Sequence, residues 1–211
     1  MANFKAIIFD FDGVIVESSD IKTEAFRALY QSYGSEVVEA AVAHHQAHGG
    51  ISRRKKIRYI HREFLGQQLT PDELEALCHR FSELVEDAVV ACSWVPGAQA
   101  YLDRNVGQRP MFVVSGTPHE ELLRIVHRRG IGEYFTAVFG SPPEKPPTIR
   151  NILSTHRLRP EQVLFVGDAL TDYHAAAETG LRFVGRIAPS HSNPFPEGTT
   201  VIPDLSHLSF G

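Results

Sequence analysis

The chain has 211 residues, 43% of them hydrophobic, with 21 Lys plus Arg against 25 Asp plus Glu and a formal charge of −4 when His is neutral. This is enough for one full domain plus an insertion, and the charge balance argues against the basic stripe that tracks a nucleic-acid backbone. Cys78 and Cys92 are too few for a disulfide scaffold and lack CxxC spacing, so a reducing, cytoplasmic compartment is expected.

The first apolar stretch, Phe4 to Val16, is interrupted by Asp10 and Asp12 and followed by no small-residue cleavage site, so it does not read as a targeting segment. No run of 18 apolar residues occurs, and no membrane partner is expected. Short apolar runs bounded by turn residues predict buried strands at Lys5 to Phe9, Met111 to Val114, Ala137 to Phe139, Val163 to Val166, Phe183 to Val184 and, more weakly, Thr200 to Ile202. Helical patterns lie between the later runs: Leu122, Ile125 and Val126; Ile149, Ile152 and Leu153; and Ala175 to Ala177, closed by Gly180. Alternation of this kind predicts an α/β fold with a parallel sheet covered on both faces.

Between residues 18 and 94 the alternation gives way to helical periodicity alone. The sets are Phe26, Leu29, Tyr30 and Tyr33; Ile57, Ile60 and Phe64; and Leu74, Leu77, Phe81, Leu84, Val85 and Ala88. Thr70, Pro71 and Glu73 form a start signal for the third set, with Thr70 as N-cap. The reading is a helical insertion, residues 18–94, in a Rossmann-like core made of residues 1–17 and 95–211.

Chemistry concentrates at the predicted strand ends. Phe9-Asp10-Phe11-Asp12-Gly13 runs an apolar strand into two carboxylates; alone, this is also ordinary turn chemistry. Three further ends join it: Ser115-Gly116-Thr117, with a hydroxyl and backbone N–H groups near a helix start; Lys145, flanked by prolines; and Asp168 with Asp172, four residues apart. In an open parallel sheet such ends converge. Asp10, Asp12, Asp168 and Asp172 would repel strongly without a cation, and an oxygen-rich set favours Mg²⁺, which also accepts water and phosphate oxygens. With Lys145 as a fixed positive charge, the site suits a phosphoryl group, which a carboxylate can attack.

The order of these motifs resembles the haloacid dehalogenase superfamily of phosphatases, in the branch with a helical cap, over essentially the whole chain. The resemblance implies Asp10 as nucleophile and Mg²⁺ ligand, and Asp12 as general acid and base that meets the metal through its backbone carbonyl. Ser115, with Gly116, would hold the phosphoryl group, Lys145 would neutralise charge, Asp168 would ligate the metal, and Asp172 would support it. The implied activity is Mg²⁺-dependent hydrolysis of a small phosphorylated metabolite through an aspartyl phosphate. Two alternatives stand beside it: a β-phosphoglucomutase-like phosphomutase, and a catalytically silent relative that binds a phosphorylated ligand or a protein partner.

Gly50-Ile51-Ser52-Arg53 resembles the cap segment in which those mutases place an arginine on the non-transferring phosphate, whereas Lys22 stands where they carry a histidine. Arg53 and Lys22 are therefore candidate substrate contacts. The run Arg53-Arg54-Lys55-Lys56 fits either a solvated helix face or an anion-reading patch with Arg53 pointing inward. The loop from Ala188 to Gly198 reads as a surface connection, and oligomeric state is left open.

Overall fold

In the computed structural model, which describes residues 4–189 and 191–209, each short apolar run forms a strand. These are β1 (Ala6–Phe9), β2 (Met111–Pro118), β3 (Ala137–Ser141), β4 (Val163–Gly167), β5 (Arg182–Arg186) and β6 (Val201–Ile202). All neighbours pair in parallel in the order β3-β2-β1-β4-β5-β6. The chain builds outward from β1 through β2 to β3, then returns to lay β4 on the other side of β1. The reversal between β1 and β4 opens a crevice at their carboxyl ends, where Asp10 and Asp168 follow.

The period of two along a strand sends alternate side chains into two cores. From β1, Ala6 and Ile8 pack with Ile149, Ile152, Ala175 and Ala176. These come from α7 (Lys145–Thr155) and α8 (Leu170–Thr179), which cover one face. Ile7 and Phe9 enter the larger core with Leu102, Leu122 and Ile125, from α5 (Ala98–Asn105) and α6 (His119–Arg128) on the other face. Burial on both sides is why these strands read as continuous apolar runs rather than alternating ones.

Four helices occupy residues 19–91: α1 (Ser19–Tyr30), α2 (Ser35–Ala47), α3 (Arg53–Phe64) and α4 (Pro71–Ala91). They pack on one another, and α4 also lies on α6. Their apolar stripes, including Phe26, Ile57, Ile60, Phe81 and Val85, belong to the same core as Ile7 and Phe9, so helical region and sheet share one hydrophobic interior. Where the chain leaves and re-enters, Val16 pairs antiparallel with Trp94.

Two helices are absent from the periodicity reading. The buried stripe of α2 is only Val38, Ala41 and Val42, and α5 is short with Ala98, Tyr101 and Leu102 inward. The start of α4 does match: Thr70 accepts from the Glu73 N–H at 3.3 Å while the Glu73 carboxylate accepts from the Thr70 N–H at 2.8 Å. Among the described residues no helix is long and apolar enough to cross a membrane.

Because the Thr70 side chain satisfies an N–H that has no partner within the helix, Thr70→Ala is expected to lower stability by about 1 kcal/mol. Urea unfolding measures this; an unchanged midpoint would show that water replaces the cap at no cost.

Candidate active site

Asp10 follows the central strand directly and is almost fully buried. Its Oδ1 accepts from the Phe11 N–H at 2.7 Å, and its Oδ2 lies 3.0 Å from Lys145 Nζ. Lys145, at the first position of α7, also pairs with Asp172 Oδ1. The second oxygen of Asp172 accepts from the Ala169 N–H at 3.1 Å, so this carboxylate is held at both ends. Asp10, Asp168 and Asp172 each offer an oxygen within 4.8 Å of the others.

Gly13 makes room for this cluster. It has φ 71°, and a Cβ there would lie 2.2 Å from Asp168 Oδ2, so only glycine lets the Asp168 carboxylate reach the backbone of the loop after Asp12.

The electrostatics follow from burial and crowding. Burial pushes Asp10 up to about 7, with Lys145 opposing and the charges of Asp172 and Asp12 adding to the rise. Asp168 is likewise raised, by burial and then by Asp10 and Asp172. Burial disfavours the Lys145 ammonium, but Asp10 and Asp172 outweigh it and hold the charge on. Three crowded carboxylates with oxygen donors only, and one ammonium among them, fit a hard divalent cation.

Asp12 faces the other way and forms a separate group. Its Oδ1 accepts from Ser18 Oγ at 2.6 Å, and its Oδ2 accepts from Lys22 Nζ, from Thr117 Oγ1 at 2.9 Å and from Ser115 Oγ at 3.4 Å. Lys22 also reaches Thr117 Oγ1 at 2.7 Å. Burial would raise this carboxyl, but Lys22, with Ser18 and Thr117, holds it down at about 2. The cluster of Asp10, Asp168 and Asp172 and the group around Asp12 thus share a backbone turn but pair with different ammonium groups, Lys145 and Lys22.

Ser115, Gly116 and Thr117 stand close to a helix start, as expected, on the strand side of it. They lie within β2, which continues to Pro118 through a shift of register, and α6 begins only at His119. The groups that could hold an anion here are the Ser115 hydroxyl and strand-end N–H groups. Thr117 N–H donates to Ser115 Oγ at 3.1 Å and fixes that hydroxyl.

A cavity of about 770 Å³ opens over Asp10, Asp12, Gly116 and Asp168. The family model for haloacid dehalogenase-like hydrolases matches residues 7–186. The chain belongs to this family. It is 25% identical to Phosphoglycolate phosphatase 1 of Pseudomonas aeruginosa over 97% of this chain and 78% of that protein. It is 27% identical to a phosphorylated carbohydrates phosphatase of Thermotoga maritima, over 88% and 86%. Among solved structures it resembles β-phosphoglucomutase from Clostridium difficile, with a TM-score of 0.76 at 17% identity over 98% of this chain and 94% of that one, a likeness of fold.

In this haloacid dehalogenase-like hydrolase the roof of the cavity comes from the helical region. Gly50 lies against Gly116 near the end of β2, and Gly49 against Ala169 in the turn between β4 and α8. The Gly49 carbonyl accepts from Thr171 Oγ1 at 2.7 Å, and a Cβ on Gly50, which has φ 73°, would lie 2.0 Å from that same oxygen. The expected surface loop also belongs to the cavity, since residues 187–189, 191, 192 and 194 line it.

Arg53 points inward as expected, but its charge is already matched. Its guanidinium grips the Glu121 carboxylate with both terminal nitrogens, Nη1 donating at 2.8 Å, and Nη1 also reaches Ser82 Oγ at 2.7 Å. The Phe81 ring lies 4.5 Å below it. Arg53 is therefore a strut joining α3, α4 and α6 at the wall of the cavity, and a substrate anion would share it with this buried pair. Residues outside the motif reading also shape the site: Ser18 on Asp12; Glu121 on Arg53; and Arg186, which donates to Glu17 Oε1 at 2.6 Å and to the Gly13 carbonyl at 3.2 Å. Glu121 is hidden from sequence patterning because it lies 68 residues from Arg53.

Breaking one side of a buried ion pair leaves an uncompensated charge. Glu121→Ala is therefore expected to cost about 3–5 kcal/mol, and the double variant Arg53→Met, Glu121→Ala markedly less. Denaturant unfolding of both distinguishes this strut from a solvent-screened contact, for which the single variant would lose under about 1 kcal/mol.

Proposed function

We propose that the chain is a Mg²⁺-dependent phosphomonoesterase that hydrolyses a small phosphorylated metabolite through an aspartyl phosphate on Asp10. The observation that carries the reading is the Asp10 carboxylate at the switch point of the sheet, 3.0 Å from the Lys145 ammonium and clustered with Asp168 and Asp172. The phosphatase names of the relatives from Pseudomonas aeruginosa and Thermotoga maritima support the same substrate class.

Asp10 and Asp168, with the Asp12 backbone carbonyl, would hold Mg²⁺, and Asp172 would brace the site through Lys145. When bound, the ion supplies charge neutralisation between the carboxylates and the phosphoryl oxygens. Lys145 and the Ser115 hydroxyl, with the Gly116 N–H, orient the phosphoryl group and stabilise its equatorial oxygens. Asp10 attacks phosphorus as the bond to the ester oxygen breaks, and that oxygen departs with a proton that Asp12 relays from the Lys22 ammonium hydrogen-bonded to it, which leaves Lys22 neutral. Ionised Asp12 then takes a proton from water as that water attacks the aspartyl phosphate and passes it back to Lys22, which restores Asp10 and the ammonium and releases phosphate.

Residues 18–94 act in this reading as a cap whose closure over the cavity excludes bulk water. Lys22, engaged with Asp12, and Arg53, engaged with Glu121, weigh against the mutase alternative, because the two positions compared with those mutases are each paired with a carboxylate of this chain. The full set of reactive groups weighs against a silent relative. The two free cysteines support a cytoplasmic setting.

Phosphate release from an aryl phosphate should require Mg²⁺, stop in EDTA, and fall by at least about a thousandfold in Asp10→Asn, which removes the nucleophile's charge with little change in volume. Substantial turnover by that variant, or by the wild type in EDTA, would contradict the reading.

A further inference from the structure

Four lysines and arginines line the cavity among the described residues: Lys22, Arg53, Lys56 and Arg186. Three of them are matched by a carboxylate: Lys22 by Asp12, Arg53 by Glu121 and Arg186 by Glu17. Lys56 is the exception. It is buried, with 3% exposure, and its partners are both on His45, the ring Nδ1 at 3.0 Å and the backbone carbonyl at 3.2 Å.

His45 cannot serve as a counter-charge. Its ring stacks on Phe26 with centroids 4.6 Å apart, and burial, reinforced by the charges of Lys56 and Lys22, holds it neutral. An ammonium has three N–H donors, and His45 takes two. The third remains for the cavity that Lys56 lines. Burial also pulls Lys56 down to about 7, with the Lys22 charge adding to the fall; the carboxylates of Asp12 and Asp168 act the other way without offsetting it, and neither forms an ion pair with Lys56.

Helix geometry explains why this lysine and not its neighbours is inside. Arg53 and Lys56 stand four residues before Ile57 and Ile60, on the same face, while Arg54, Lys55 and Arg58 are exposed. The basic run is thus two populations, a solvated face and a buried pair, and only one member of the buried pair is neutralised by the protein.

We propose that Lys56 is the specificity-determining residue of the cavity, donating a charge-assisted hydrogen bond to a second anionic group, a carboxylate or a phosphate, on the phosphomonoester that Asp10 attacks. The inference rests on the phosphatase reading and adds a substrate class to it: small esters that carry an acidic group besides the phosphate to be removed. Binding of that group supplies the counter-charge that the fold omits.

The test compares kcat/KM for three esters of similar size: hydroxyethyl phosphate, phosphoglycolate, which adds a carboxylate, and ethylene glycol bisphosphate, which adds a phosphate. Wild type should prefer at least one acidic ester over the hydroxyl ester by about tenfold or more, and which of the two is preferred identifies the anion. In Lys56→Met the ratio of acidic to neutral ester should collapse by about that factor, and in Lys56→Arg it should be largely restored. A purely structural lysine would lower all esters together and leave the ratio unchanged, which overturns the proposal, as does a wild type without preference. The wild-type comparison stands whether or not either variant folds. Failure to release phosphate from any ester, the aryl phosphate included, would overturn the phosphatase reading itself.

Discussion

Everything at the site depends on a buried ammonium among carboxylates. Lys145 sits between Asp10 and Asp172, with Asp168 beside them, where the outward growth of the sheet reverses direction. Carboxylates crowded this closely stay together only if positive charge is fixed among them, and lysine at the first position of a helix, flanked by prolines, fixes it with little freedom. The remaining demand for positive charge suits a divalent ion. The rest of the fold delivers these groups: strands buried on both faces set the height of Asp10 and Asp168, and Gly13 lets the latter approach the loop.

Charge matching also organises the roof. Arg53 is spent on Glu121 and Ser82, which ties three helices together and closes the helical region onto α6. The exposed pairs between Arg124 or Arg128 and Glu86 or Asp87 follow the same seam, although solvent screening leaves each of them little energy. Gly50 then rests on Gly116 near the end of β2, and Gly49 on Ala169 and Thr171 at the start of α8, so the helical region meets the sheet at the cavity itself. Lys56 alone among the lysines and arginines of the cavity is left for the ligand to match.

Much of this was legible in the sequence, for physical reasons. Strands buried on two faces leave unbroken apolar runs such as Ile7 to Phe9, and a carboxylate at the end of such a run stands out, so Asp10 and Asp168 could be read without contacts, while Lys145 was marked by the prolines around it. Thr70, Pro71 and Glu73 announced α4 because capping is local. The helix α2 left no such mark, since Val38, Ala41 and Val42 make a narrow stripe. Ser115 to Thr117 could be placed near a helix start, but the shift of register within β2 leaves no mark in three small residues. Pairings between distant positions, Arg53 with Glu121 above all, have no sequence period to reveal them. The inward turn of Lys56 could have been found by extending the Ile57 and Ile60 stripe back by one turn.

The central claim is that Asp10, and no neighbouring hydroxyl or carboxylate, accepts the phosphoryl group. The most direct measurement is to mix the enzyme with Mg²⁺ and an aryl phosphate, quench within a turnover, reduce with borohydride, and sequence the peptides by mass spectrometry. An acyl phosphate is reduced by this treatment to the alcohol, so Asp10 is expected to be converted to homoserine, with Asp12 and Ser115 unmodified. Conversion at Asp12, a stable phosphoester at Ser115, or rapid phosphate release with no modified residue would contradict the account.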